Sequence, residues 1–402
     1  VSAERRVIPL RAATPRAEQP GGVAVTLPLA LYIHFPWCVR KCPYCDFNSH
    51  EARGGIPQDA YVDALIGDLE LALPRVWGRR VASVFVGGGT PSLMAPSSVE
   101  RLLAAVRARL NLLPDAEITL EANPGTVEAA RFAAYRDAGV NRISLGIQSF
   151  ADARLAALGR IHDTREARAA VELALKHFDN VNLDLMYALP GQTLEEVRRD
   201  LGAALAYRPP HLSAYHLTLE PNTPFHRDPP PLPDADLAAD MQDTAEDMLA
   251  ATGYTHYETS AFALPGMACR HNLNYWRFGD YLGIGAGAHG KLSSHEDIRR
   301  EMRHMHPQAY LAAVAAGTPV QESRVVGAQD LPFEFMMNAL RLNDGFAPAL
   351  YAERTGLTLA GIEAQLDEAQ RRGLLDVGVE RIAPTGRGRR FLNDLLEIFL
   401  ST

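Results

Sequence analysis

The sequence predicts an α/β protein, a partial (β/α)6 barrel followed by a C-terminal helical domain of winged-helix character. Three observations carry that expectation. From Leu29 onward, short apolar runs trade places with longer stretches of 3.6-residue apolar spacing, six times over. The unusual polar residues fall at the C-terminal ends of the six short runs, where the loops of a parallel barrel converge. After Pro332 the short runs give way to helices and a single hairpin.

With 402 residues, 47% apolar and 22% charged, the chain has room for two or three domains. We expect a flexible tail over 1–28, the barrel over 29–261, a connecting region over 262–330 and the helical domain over 331–402. The tail carries Arg5, Arg6, Arg11 and Arg16 but also Glu4 and Glu18, with one serine and no apolar core, unlike a secretory signal or a mitochondrial presequence. No apolar run approaches the roughly 18 residues of a membrane span, so no integral membrane segment is expected. A net charge of −8 argues against nucleic acid and anionic lipid as partners. Four cysteines, three of them clustered, fit a reducing compartment, and the cytoplasm is the expected location.

The strands are expected at Ala30 to Phe35, Val81 to Gly87, Glu117 to Ala122, Arg142 to Gln148, Val181 to Tyr187 and Leu212 to Leu217. Helices fall between them, at Gln58 to Leu73, Pro96 to Leu110, Val127 to Ala138, Arg165 to His177 and Leu194 to Tyr207. Ser97 or Ser98 would cap the second helix, and Thr193 with Glu196 three residues later reads as a capping box for the fifth. Within Val181-Asn-Leu-Asp-Leu-Met the apolar residues share one face, leaving Asn182 and Asp184 on the other. A Pro-rich surface loop, Pro221 to Pro233, leads to an acidic helix from Asp234 to Ala251, then a strand-like Tyr254 to Ala261. The last domain reads as helices at Phe333 to Leu342, Ala347 to Arg354, Leu359 to Arg372 and Gly386 to Phe399, with a hairpin around Leu374 to Pro384. It holds 8 arginines against 10 acidic residues, so its wing suits packing or a protein partner better than a phosphate backbone.

The chemistry is concentrated after the first strand, in Tyr32-Ile-His-Phe-Pro-Trp-Cys38-Val-Arg-Lys-Cys42-Pro-Tyr-Cys45. Thiolate is the usual protein ligand of iron–sulfur clusters, and three thiols leave one iron of a cubane free for another ligand. A zinc site would need His34, Asp46 or His50 as a fourth ligand and lacks the paired C-x-x-C spacing. Each later strand adds one part. Gly87, Gly88 and Gly89 let backbone approach a ligand, Glu121, Gln148 and Asp184 offer acceptors for hydroxyls or an amine, and Arg160 offers a fork for a carboxylate. Asn123, Glu220 and Asn222 also stand at strand ends.

This C-x-x-x-C-x-x-C loop with an aromatic before its last cysteine resembles the signature of the radical S-adenosylmethionine (SAM) superfamily. Together with GGGTPS, EANP, GIQSF, LGRIH, HNLNYW and FLNDLLEIFL, it resembles one branch, the HemW-type haem chaperones, which are related to the oxygen-independent coproporphyrinogen III oxidases. The resemblance runs from about Leu29 to the end. It implies a [4Fe-4S] cluster on Cys38, Cys42 and Cys45, SAM on the fourth iron, and SAM contacts at Tyr32, Tyr44, Gly88, Gly89, Thr90, Glu121, Gln148, Arg160 and Asp184. It also implies haem and haem-acceptor proteins as partners, with an electron donor for the cluster. The oxidase pattern has a further cysteine two residues beyond the third, where this chain has Phe47, which favours the chaperone and leaves SAM cleavage and any catalytic residue open.

The stretch Cys269-Arg-His271-Asn-Leu-Asn-Tyr-Trp276 is dense in groups able to touch a macrocycle, and the resemblance associates its HNxxYW signature with haem. His271 is therefore the expected haem ligand, with Cys269 as a second candidate, against the alternative of a hydrogen-bonded structural histidine. Gly283-Ile-Gly-Ala-Gly-Ala-His-Gly290 imitates a dinucleotide fingerprint, but no helix-period segment opens from it. A close-packed turn near the cofactor side of the barrel is the better reading, with His304 and His306 on a nearby loop.

Overall fold

A computed structural model describes residues 23, 27–126 and 129–400. The expected tail over 1–28 lies almost wholly outside the described residues, as do Val127 and Glu128 at the head of the third expected helix.

The chain enters on β1 (Leu29–Phe35) and passes through two short strands of the cysteine loop, β2 (Trp37–Cys38) and β3 (His50–Glu51), which pair in parallel. Five β/α repeats follow. They are α1 (Gln58–Val76) with β4 (Arg80–Gly88), α2 (Pro96–Arg109) with β5 (Asn111–Ala122), and α3 (Ala129–Ala138) with β6 (Arg142–Gln148). Next come α4 (Asp152–Ala157) and α5 (Thr164–His177) with β7 (Asn180–Tyr187), then α6 (Leu194–Ala206) with β8 (His211–His216). The six strands β1, β4, β5, β6, β7 and β8 are neighbours in that order and all parallel, which makes the partial barrel.

Alternation along these strands sorts the side chains. Val181, Leu183 and Leu185 of β7 join the large core that includes Val171 and Ala174 of α5, while Asp184 lines an open cavity. Capping follows the sequence at α6, where Thr193 and Glu196 form both arms of a capping box. It departs from it at α2. There Ala95 occupies the N-cap with no side-chain bond, and neither Ser97 nor Ser98 serves. Pro96 sets the helical φ at the first position and has no N–H to satisfy.

Beyond β8, α7 (Pro224–Arg227) and α8 (Ala235–Ala251) lead to β9 (Thr255–Glu258) and β10 (Ala261–Ala263), which close the β8 edge in antiparallel fashion. After α9 (Arg270–Trp276), β11 (Asp280–Ile284) returns to pair in parallel with β1. Three antiparallel strands extend that edge, β12 (His289–Ser293), β13 (Ile298–Arg303) and, after α10 (Pro307–Ala315), β14 (Val320–Val325). The result is one sheet of 12 strands.

The C-terminal unit comprises α11 (Leu331–Ala339), α12 (Pro348–Thr355), α13 (Glu363–Arg371), the hairpin β15 (Leu375–Val377) and β16 (Ile382–Pro384), α14 (Gly386–Arg390) and α15 (Leu392–Glu397). Its core, built on Phe335, Tyr351, Leu366 and Leu395, takes in Phe278 and Ile298 from the preceding region. Among the described residues, no helix is long and apolar enough to cross a membrane.

Candidate functional site

A cavity of about 340 Å³ opens where the six parallel strands end, and all three clustered thiols line it. The cysteine loop is fastened to the glycine turn after β4 through backbone bonds, Gly89 N–H to the Phe35 carbonyl (2.7 Å) and Thr90 N–H to the Trp37 carbonyl (2.8 Å). Glycine is required for that approach. A Cβ on Gly88 would stand 2.5 Å from the His34 ring, and one on Gly89 would stand 2.5 Å from the Trp37 carbonyl oxygen.

A belt of hydrogen bonds joins two of the thiols from behind. Thr90 Oγ1 donates to Cys38 Sγ (3.5 Å) and accepts from Asn123 Nδ2 (2.9 Å). Asn123 Oδ1 accepts from Arg160 Nη2 (2.7 Å), and Arg160 Nη1 points at Cys42 Sγ (3.7 Å). Cys45 Sγ lies 3.9 Å from the Ser49 hydroxyl. Burial pushes the thiols of Cys38 and Cys45 above their ordinary value, so any metal taken there must displace protons.

The opposite wall is acidic. Glu121 accepts the Gly88 N–H (3.0 Å), and burial together with Asp184 pushes its carboxyl up to about 8. Asp184 is held by Ser144 Oγ and Asn182 Nδ2, each at 2.8 Å, and burial raises its carboxyl too. Gln148 ends β6 with φ +61, a region that costs a residue with a Cβ, and its Oε1 is buried with no partner. An orphaned acceptor on a strained residue at the wall of a cavity is ready for a ligand's donor.

The structure therefore brings together Cys38, Cys42, Cys45, Tyr44, Gly88, Gly89, Thr90, Glu121, Gln148, Arg160 and Asp184 around one cavity. Among the described residues, no three His, Cys, Asp or Glu side chains converge to the spacing of a single metal ion. The thiols stand around a shared space instead, and three sulfurs beside an orphaned acceptor suit a cluster with a polar ligand on its open iron.

Two expected contacts lie elsewhere. Tyr32 is turned into the barrel, its hydroxyl 2.9 Å from His34 Nδ1 and its ring against Phe85 and His271, and it does not line the cavity. His271 is 1% exposed, with Nδ1 3.0 Å from Ser83 Oγ and Nε2 3.1 Å from Tyr275 Oη. The backbone N–H groups of Arg270 and His271 both donate to Glu117, two inward positions before Glu121 on β5, so the helix plugs the barrel beneath the cavity. Burial holds the His271 imidazole near 3. In this placement both ring nitrogens of His271, the expected haem ligand, are engaged inside the protein. Cys269 is likewise a buried thiol donating to Glu117 (3.4 Å), pushed up to about 12 by burial. The cavity also includes Ser144 and Tyr215, which sequence reasoning passed over and which inward alternation along β6 and β8 would have found.

Known proteins resemble this chain. A family model described as the Radical SAM superfamily matches residues 32–204, and one described as the HemN C-terminal domain matches residues 326–391. "Heme chaperone HemW" of Escherichia coli is 51% identical over 379 residues, 93% of this chain and 98% of that protein. Its namesake in Haemophilus influenzae is 47% identical over 380 residues, with the same coverage of 93% and 98%. The solved structure of coproporphyrinogen III oxidase (HemN) from Escherichia coli, described as a radical SAM enzyme, superposes with a TM-score of 0.79 at 25% identity, covering 93% of this chain and 90% of that one.

Proposed function

The chain belongs to the HemW family of radical SAM proteins, and from that premise we propose that it is a haem carrier. It binds haem, holds a [4Fe-4S] cluster on Cys38, Cys42 and Cys45 with SAM at the open iron, and passes haem to acceptor proteins in a reducing compartment such as the cytoplasm. The observation that carries the cofactor half of this reading is the convergence of three thiols, the unpartnered Gln148 Oε1 and the Glu121–Asp184 wall on one cavity. Three thiolates satisfy three irons.

When bound, such a cluster supplies an electron at low potential, which an external donor must replace. The chain's own residues bind and orient. Arg160 presents its guanidinium between Asn123 and Cys42 for a carboxylate. Gln148 offers its free oxygen to a hydroxyl or amine. Asp184 and Glu121 offer their carboxyls to a cationic ligand, and the Tyr44 ring packs beside Phe225 at the cavity edge.

The fold is shared with a coproporphyrinogen oxidase, so decarboxylation of propionate side chains is the second reading. Phe47, 60% exposed on the cavity rim where the oxidase pattern carries a cysteine, favours the carrier. Anaerobically reconstituted protein given haem and, in parallel, coproporphyrinogen III separates the two. Tight haem binding without porphyrinogen turnover is expected, and C38A, C42A or C45A should abolish iron and sulfide incorporation. Conversion of the porphyrinogen would overturn the carrier reading.

A further inference from the structure

We infer that the hydroxyls of Thr90 and Ser49 and the guanidinium of Arg160 set the reduction potential of the cluster by donating to its three cysteine sulfurs, and that Asn123 aims two of those donors. The inference rests on the reading of Cys38, Cys42 and Cys45 as cluster ligands, and it gives the side chains around the thiols a task distinct from contact with SAM.

Donor directions along the belt leave one solution. A guanidinium can only donate, so the Asn123 oxygen faces Arg160 (2.7 Å) and its amide nitrogen faces Thr90 (2.9 Å). The Thr90 oxygen is thereby an acceptor from Asn123, and its single hydrogen goes to Cys38 Sγ at 3.5 Å. At the other end, Arg160 is anchored by the Gly146 carbonyl (2.9 Å), with Nη1 3.7 Å from Cys42 Sγ. The Ser49 hydroxyl lies 3.9 Å from Cys45 Sγ. A ligating thiolate has no hydrogen to give, so Ser49 must be the donor once a metal is held. Each of the three sulfurs therefore faces a donor of its own.

Hydrogen bonds to the sulfurs are among the factors that place an iron–sulfur potential. The reduced cluster carries one more negative charge than the oxidised one, part of it on sulfur. The same donor therefore stabilises the reduced state more and raises the potential. In the step concerned an external one-electron carrier gives up one electron and the cluster takes it, with no covalent bond formed or broken. A chain with all three donors fills its cluster from a weaker reductant than a chain without them. Thr90 is 3% exposed and Ser49 5%, so both hydroxyls act where bulk water does not compete.

The test is a redox titration of the anaerobically reconstituted full chain without SAM, poised with dithionite and mediator dyes, the reduced cluster being counted by electron paramagnetic resonance. T90V and S49A should each cut the ratio of reduced to oxidised cluster at a fixed poise about tenfold, a fall of about 59 mV for a one-electron couple. T90S keeps the hydroxyl and should stay at the wild-type potential. Asn123 touches no sulfur, yet N123A should also lower the potential, which a residue that only holds the loop together would not do. Iron and sulfide are measured in every variant. Should T90V lose the cluster, S49A and N123A decide. Variants T90V, S49A and N123A that hold full clusters at the wild-type potential overturn the inference and leave the cluster reading intact. A wild-type chain that takes up no [4Fe-4S] cluster overturns that reading itself.

Discussion

Glu121 governs how the cavity responds to pH. Burial and the neighbouring Asp184 lift its carboxyl from 4.5 to about 8, against the pull of the Gly88 N–H and Arg142. The folded chain thus keeps a proton that the unfolded chain releases at lower pH, and this group's contribution to stability falls as pH rises from about 4.5 through about 8. A cationic ligand reverses the preference by favouring the carboxylate. SAM affinity should therefore rise with pH up to about 8 and then level off, with proton release on binding at pH 7; E121Q should bind with less proton release. Calorimetric titrations in two buffers of different ionisation heat measure this directly. The acidic wall and the thiols were legible because each sits at a fixed place relative to a strand end. The Thr90–Asn123–Arg160 belt was not, since it depends on which side chains from three different loops meet. The inward placement of His271 and Tyr32 was not legible for a related reason. A dense motif gives the chemistry of its groups and not the face they turn to, and Glu117, far away in sequence, draws the helix that carries His271 into the barrel.

At the level of elements, the glycine-rich turn after β11 is a joint between strand and cofactor loop. Gly287 has φ +77, and a Cβ there would stand 2.3 Å from Asn48 Nδ2. G287A should strain the backbone and push Asn48 away from the Ala286 and Met305 carbonyls. We expect a loss of about 1–3 kcal/mol, read as a lower urea midpoint with unchanged slope. Removing the α6 cap with T193A should cost about 1 kcal/mol and leave haem uptake alone. The six barrel strands were readable from apolar runs between turn residues. The N-terminal half of β5 was not, because Pro114 and Asp115 interrupt its pattern although the strand starts at Asn111. Nor were β13 and β14, whose sequences Ile-Arg-Arg-Glu-Met-Arg and Val-Gln-Glu-Ser-Arg-Val look solvated. Pairing partners supplied by distant residues, such as Glu334 for Arg300 and Arg324, let those charges lie on a sheet.

Across the whole molecule, one buried carboxylate couples the barrel to the C-terminal unit. Asp280, first residue of β11, is in register with Leu29 of β1 and accepts from Lys291 (2.9 Å), Arg79 (2.9 Å) and both the hydroxyl (2.7 Å) and N–H (2.8 Å) of Ser293. Lys291 in turn lies 4.2 Å from the centre of the Phe278 ring, which belongs to the C-terminal core. Burial alone would raise the Asp280 carboxyl, and Lys291 with Arg79 outweighs it, holding the group below its usual range. The stability this supplies is present above the carboxyl's unfolded value and lost as pH falls through its lowered folded value. Burial pulls the Lys291 ammonium below its ordinary value, against Asp280. An ion pair so enclosed is costly to break one partner at a time, because the survivor stays buried without compensation. D280N and K291M should each destabilise the protein by about 3–5 kcal/mol, whereas D280N/K291M should cost clearly less than their sum. Denaturant titrations of the four proteins of this cycle give the coupling, and D280N should also lack the acid-side loss of stability. If the carboxylate joins the two cores as the contacts indicate, amides of β11 and β12 and those of α11 should lose hydrogen-exchange protection together in either single variant, while amides of β6 and β7 keep theirs.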